Sequence, residues 1–315
     1  MSRKQIKTSY PIVLLVILLA LGIDLVASPE TGVHGKIVKI TSMNALPIDH
    51  PEHTIFFFDI DDTLIDSPYM VGSKAWRKYI VEATKETGQN WLGFFSLALA
   101  HHLPAALVEP NMLQILSTLQ SKGYAVCGLT ARARQCWYGI STEVDTLTLS
   151  QLEIAGIHFD EGLLKKIHPV LTEDSEYFRG IFFSDEDLKG EYLKELLKHS
   201  SELVKKIVFI DDKLSQTESV AAALTELKIK DFICYWYCAT DAKSQRFDPL
   251  IANIQLYSLF TSNRVISDEE AENIGLQYPE YNTEYYLQQL LLLCKPQLTA
   301  MIHECYSSFT SVPAV

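Results

Sequence analysis

Short, uninterrupted apolar runs recur along the chain, and stretches with helical spacing lie between them. The runs fall at residues 36–40 (KIVKI), 54–58 (TIFFF), 124–129 (YAVCGL), 180–183 (GIFF), 206–210 (KIVFI) and 232–237 (FICYWY). Strands covered by helices on both faces have this continuous apolar character. Helical patterns occupy 112–120, 146–154, 191–199 and 217–227. Gly123 and Gly156 follow two of them where a C-cap residue is wanted. The alternation predicts an α/β protein with a doubly wound, mostly parallel sheet.

Three segments depart from that rhythm. Residues 67–108 carry helical patterning, including SKAWRKYIVEATKETG and NWLGFFSLALAHHLPAAL, and are expected to form a small helical insertion. Beyond residue 262, DEEAENIG and EYYLQQLLLLCKPQLTAMI predict a C-terminal helical extension over 263–315. It either packs on the core or presents a surface to a partner. At the other end, Arg3, Lys4 and Lys7 precede an uncharged apolar run over 11–23, Asp24 interrupts it, and Leu25-Val26-Ala27 leads to Ser28. A basic start, a short apolar centre and a small-residue exit describe a secretory signal peptide over 1–27, leaving 28–262 as the core. A spanning helix needs about 20 apolar residues. The expectation is therefore an exported protein, periplasmic or secreted. An uncleaved inner-membrane signal-anchor is the alternative, and the membrane is a partner only in that case.

Composition narrows the function classes. With 48% hydrophobic residues in 315, the chain is not disordered and can bury a large core. Its 27 basic residues against 39 acidic ones give a net charge of −12, which argues against binding nucleic acid. Clustered acids suit a divalent metal instead. Six cysteines in an exported chain permit disulfides. Cys234 and Cys238 lie in one strand-like run, about 13 Å apart, too far to bridge. None of the six has zinc-site spacing, counting Cys136. Cys127 and Cys234 are expected as buried free thiols, and Cys294 and Cys305 are best placed for one bridge.

Four strand ends carry polar residues that folding does not require. Ligands of open parallel sheets bind beyond the carboxyl ends of the strands. The first end is FFFDIDDTLID, where Asp59 and Asp61, two apart in an extended segment, are expected to share a face. Close carboxylates repel unless a cation or a shared proton compensates. The second is YAVCGLTARAR, where Thr130 is expected to open a helix, either capping it or helping to bind an anion. The third is Lys189 at the mouth of a helix, with Gly190 after it to let a phosphate approach. The fourth is KIVFIDDK, whose strand ends in Asp211 and Asp212.

A DxD, then Thr, then Lys, then DD, each at a strand end, resembles the haloacid dehalogenase-like (HAD) hydrolase superfamily. The likeness covers roughly residues 54–227, and DIDDTL is its most specific part. The phrases LTAR, QLEIAGIHF and FSDEDLKGEYL are similar to an uncharacterised exported or effector-type bacterial branch. The resemblance implies a Rossmann-like HAD core and a Mg²⁺-dependent phosphatase with an aspartyl-phosphate intermediate. By motif matching, Asp59 attacks phosphorus, and Asp61 protonates the leaving group and then activates water. Mg²⁺ binds Asp59, the backbone carbonyl of Asp61, and Asp211 or Asp212. Thr130 and Lys189 hold the phosphoryl oxygens. Phosphoryl transfer asks a protein mainly for positioning and charge neutralisation, which agrees with these roles. Asp61 favours a phosphatase over a dehalogenase. Asp62 stands where the superfamily often has glycine.

The insertion at 67–108 lies where that superfamily places its first cap, which screens water and reads the leaving group. His101, His102, Trp91 and Arg77 are candidates for that reading. Arg132 and Arg134 either bind a second anionic group or lie on a solvated helix face. The implied substrate is a phosphorylated small molecule or a phosphoprotein. A catalytically idle protein-binding module and a phosphotransferase are the competing readings.

Overall fold

In the strand TIFFF, alternate side chains leave opposite faces, and every one of them is buried. Phe56 and Phe58 enter one apolar core with Val126, Val208 and Ile210. Ile55 and Phe57 enter another with Cys127, Ile207 and Phe209. A strand wanted by two cores must lie inside a sheet covered on both sides, as the apolar runs predict. The computed structural model describes residues 36–46, 54–86, 93, 102–134, 143–167, 169, 175–185, 187–198 and 204–293. The expected signal segment, Trp91, His101, Cys136, Cys294 and Cys305 lie outside them.

Among the described residues, seven strands form the central sheet: β1 (Lys36–Ile40), β2 (Thr54–Phe58), β5 (Ala125–Thr130), β6 (Tyr177–Phe178), β7 (Ile181–Phe183), β8 (Lys206–Asp211) and β9 (Asp231–Tyr237). Their order is β1-β9-β8-β2-β5-β7-β6. Every pairing is parallel except β6 with β7. That hairpin turns through Arg179 and Gly180, both at positive φ. Helices α2 (Met112–Ser121) and α3 (Val144–Ile154) cover one face, placing Met112, Ile115, Leu119 and Leu152 against Phe56 and Phe58. Helices α4 (Glu161–Ile167), α5 (Lys189–Leu197) and α6 (Leu214–Glu226) cover the other, placing Leu164, Leu193, Leu197, Val220 and Leu224 against Phe57. The sheet is therefore wound on both faces. Gly123 and Gly156, at φ 87° and 82°, end α2 and α3 as expected.

The insertion leaves and rejoins the core through a two-stranded antiparallel sheet, β3 (Ile65–Asp66) with β4 (Ala106–Leu107). Its described helix is α1 (Lys74–Glu86). Among the described residues, β9 is followed by α7 (Asp241–Gln245), α8 (Pro249–Ser262) and α9 (Asp268–Gln277), and residues 283–293 are helical. Val71, Trp76, Ile80 and Leu103 of the insertion share a third apolar core with Ala252 and Leu256 of α8 and Leu287 and Leu290. The described part of the C-terminal extension thus packs, and part of what it packs on is the insertion. No helix among the described residues is long and apolar enough to cross a membrane. Cys127, Cys234 and Cys238 are buried free thiols.

Candidate functional site

Strands β2 and β8 are hydrogen-bonded neighbours in the middle of the sheet, and their carboxyl ends open at one edge. Asp59 follows β2, and its N–H still donates to the Ile210 carbonyl at 2.8 Å, so the ladder fixes where its side chain starts. Asp211 is the last residue of β8 and Asp212 the next. Each of the three offers a carboxylate oxygen, and these oxygens lie within 4.8 Å of one another. They are 6%, 0% and 2% exposed.

Three buried carboxylates so close need cations. Lys189, the first residue of α5, brings one. Its Nζ donates to Asp59 Oδ1 and, at 2.6 Å, to Asp211 Oδ2. Burial opposes the ammonium charge, but Asp211 and Asp59 outweigh it and hold Lys189 protonated well above its ordinary range. Its backbone N–H is pinned by Gln216 Oε1 at 2.9 Å. Lys74, at the start of α1, brings a second cation, 2.8 Å from Asp212 Oδ2. Asp212 Oδ1 is buried with no hydrogen-bond partner among the described residues. Burial, then the charges of Asp59, Asp62 and Asp211, push the Asp212 carboxyl up to about 8. Burial and the Asp59 charge push Asp211 up to about 6, against the pull of Lys189. Two ammonium groups facing three carboxyl groups still leave an oxygen of Asp212 unsatisfied. Oxygen donors of this kind suit a hard divalent cation, and the cluster can hold a metal ion.

The other residues read from the sequence divide. Asp61 stands outside the cluster: Arg132 Nε and Nη2 grip its two oxygens at 2.8 and 2.7 Å. Asp59 and Asp61 therefore have different cationic partners, Lys189 and Arg132. Thr130 ends β5 fully buried, but no described helix opens at it; residues 131–134 are bends and irregular chain, and α3 starts at Val144. Its Oγ1 accepts the Arg132 N–H at 3.2 Å. Gly190 has a different reason from phosphate access. A Cβ there would lie 2.2 Å from the Ser219 carbonyl oxygen, so the glycine lets α5 and α6 touch backbone to backbone. Arg132 and Arg134 are not a solvated face; Arg132 is buried on Asp61, and Arg134 pairs with Asp145. Arg77 is held by Asp62 and by the Gly72 carbonyl at 2.6 Å. His102 is exposed.

Some contributors carry no local signal. Lys74 lies one helical turn before Lys78, which is 78% exposed on its side chain, and nothing local tells the two apart. Thr63 was legible in principle: four residues after Asp59, its Oγ1 donates to Asp59 Oδ2 at 3.2 Å. Asp62 takes φ 62°, the left-handed region that glycine adopts without strain, and is kept there by Arg77. Burial raises its carboxyl despite Arg77.

Fold and site together define an α/β protein of Rossmann-like architecture, with a buried acidic cluster able to hold a metal at the carboxyl edge of its parallel sheet. The chain belongs to the family described as "Protein of unknown function (DUF2608)", matched over residues 37–272, a span containing the whole cluster, Thr130 and Lys189. No curated protein and no solved structure matches it.

Proposed function

We propose that this protein is a Mg²⁺-dependent phosphomonoester hydrolase of the HAD type, working through an aspartyl-phosphate on Asp59. One observation supports the reading above the others: Asp59, Lys189 and the adjacent pair Asp211 and Asp212, from three separate places in the sequence and each next to a strand or helix end, converge on one buried cluster. Mg²⁺ would be held by Asp59, Asp211, Asp212 and the Asp61 carbonyl, and when bound it would neutralise phosphate charge. An oxygen of Asp59 attacks phosphorus and the bond to the leaving oxygen breaks, that oxygen taking its proton from Asp61. Water then attacks the phosphorus and gives a proton to Asp61. The bond to Asp59 breaks, releasing inorganic phosphate and restoring the carboxylate. Lys189 and the Thr130 hydroxyl orient the phosphoryl oxygens, and the insertion limits water at the site.

The substrate is a phosphorylated small molecule or phosphoprotein, and the protein acts after export, with its mature N-terminus near Ser28. A panel of phosphomonoesters with and without Mg²⁺, run beside Asp59→Asn, tests the chemistry. Mg²⁺-dependent phosphate release that Asp59→Asn abolishes is the expected result; a variant turning over at the normal rate ends the covalent mechanism. N-terminal sequencing with membrane fractionation tests the location, and an intact Met1 chain in the membrane pellet makes it an anchored enzyme.

A further inference from the structure

Arg132 is a buried guanidinium with four side-chain hydrogen bonds. Two run to Asp61, as above. Nη1 makes the others, to Thr148 Oγ1 at 2.8 Å and Gln151 Oε1 at 2.9 Å, both on α3. Those partners are themselves fixed: Thr148 Oγ1 donates to the Val144 carbonyl at 2.6 Å, and Gln151 Nε2 donates to the Leu103 carbonyl at 3.0 Å. Leu103 belongs to the insertion and is buried in the third apolar core. Arg132 also touches Thr130 through its own N–H. Through its side chain this one residue connects Asp61 with α3 and, through Gln151, with the insertion, and through its backbone it reaches Thr130. Among the described residues Asp61 is the one carboxylate that pairs with it.

We propose that Arg132 is a positioning residue that fixes Asp61 as the carboxylate that takes the proton from the attacking water, and ties its placement to the insertion through Gln151. The inference rests on the phosphatase reading above. A planar fork gripping both oxygens of a carboxylate removes its rotational freedom, which a lysine ammonium cannot do from one point. The stacking of fixed partners behind the fork explains why two neutral side chains on α3 are spent on a residue that already has a counter-charge. Asp59 has no share in this network, since Lys189 and Thr63 hold it. Loss of the fork should therefore affect the steps that use Asp61 and spare formation of the metal site.

The test measures kcat, KM, Mg²⁺ affinity, melting temperature and acid-quenched phosphoenzyme on the full chain, with p-nitrophenyl phosphate as substrate. The variants are Arg132→Lys, Arg132→Met, Asp61→Asn, Gln151→Leu and the Arg132→Met/Asp61→Asn double variant. A misplaced catalytic group costs roughly 10- to 100-fold in rate. Arg132→Met and Arg132→Lys should both lose kcat on that scale, with KM and Mg²⁺ affinity within about twofold and phosphoenzyme accumulating. Gln151→Leu should lose less in the same direction. The double variant should be no slower than Asp61→Asn alone, since two residues acting as one unit are not additive. Losses that multiply in the double variant, or full recovery by Arg132→Lys, overturn the inference and leave the phosphatase reading standing. If Arg132→Met does not fold, Arg132→Lys and Gln151→Leu decide by the same readouts. A wild-type protein that forms no phosphoenzyme on Asp59 overturns both.

Discussion

At the residue scale, the acidic cluster makes stability depend on pH in a defined direction. The folded protein holds the Asp212 carboxyl up at about 8, against an ordinary 3.8, so it binds that proton more tightly than the unfolded chain does. The stabilisation is complete below the ordinary value and is lost as pH rises through the folded one. Asp211 adds the same trend over a narrower window, up to about 6. Without metal, the melting temperature should fall from pH 4 to 8, and Asp212→Asn should flatten that slope. With Mg²⁺ the trend should reverse over the same window, because the metal binds the ionised carboxylates. A metal-free melting curve series that rises with pH contradicts the assignment. Gly190 makes a separate prediction. Because an added methyl would meet the Ser219 carbonyl at 2.2 Å, Gly190→Ala should cost about 2 kcal/mol or more in a denaturant titration.

At the scale of elements, α1 is fastened to the site at two points, Lys74 on Asp212 and Arg77 on Asp62. Lys74 and a metal compete for the same oxygen set. Lys74→Met should lower the melting temperature of the metal-free protein, tighten Mg²⁺ binding, and enlarge the rise in melting temperature that Mg²⁺ produces. Unchanged Mg²⁺ affinity in that variant would show that the ammonium is no competitor. The same elements explain what could be read in advance. Strands such as β2 and β8 are legible because both faces are buried and four consecutive positions of each are apolar. Strands β3, β4 and β6 have two residues each, too few for any period to appear, and they are set by the turn and pairing around them. The acids at the ends of β2 and β8 and Lys189 at the start of α5 were visible as strand-end and helix-end polar residues. The Arg132 grip on Asp61 spans 71 residues, and α1 reaches Asp212 only after the insertion has folded back. Pairings of that kind are made by the fold and leave no local trace.

For the whole molecule, the third apolar core joins the insertion to the C-terminal helices, so changes far from the acids should reach the site. Leu290 is fully buried there, and Leu290→Ala should destabilise the protein by about 3 kcal/mol. Trp76 lies in that same core, completely buried, with its indole N–H unpaired among the described residues. An indole kept dry emits at short wavelength, and water moves its emission to the red. With Trp91, Trp137 and Trp236 changed to Phe, the fluorescence of Trp76 becomes an optical gauge of whether the insertion and the C-terminal helices are in contact. Leu290→Asp should turn that blue emission red while the far-ultraviolet signal of the sheet persists, and light absorbed by one side chain then reports whether that core is closed.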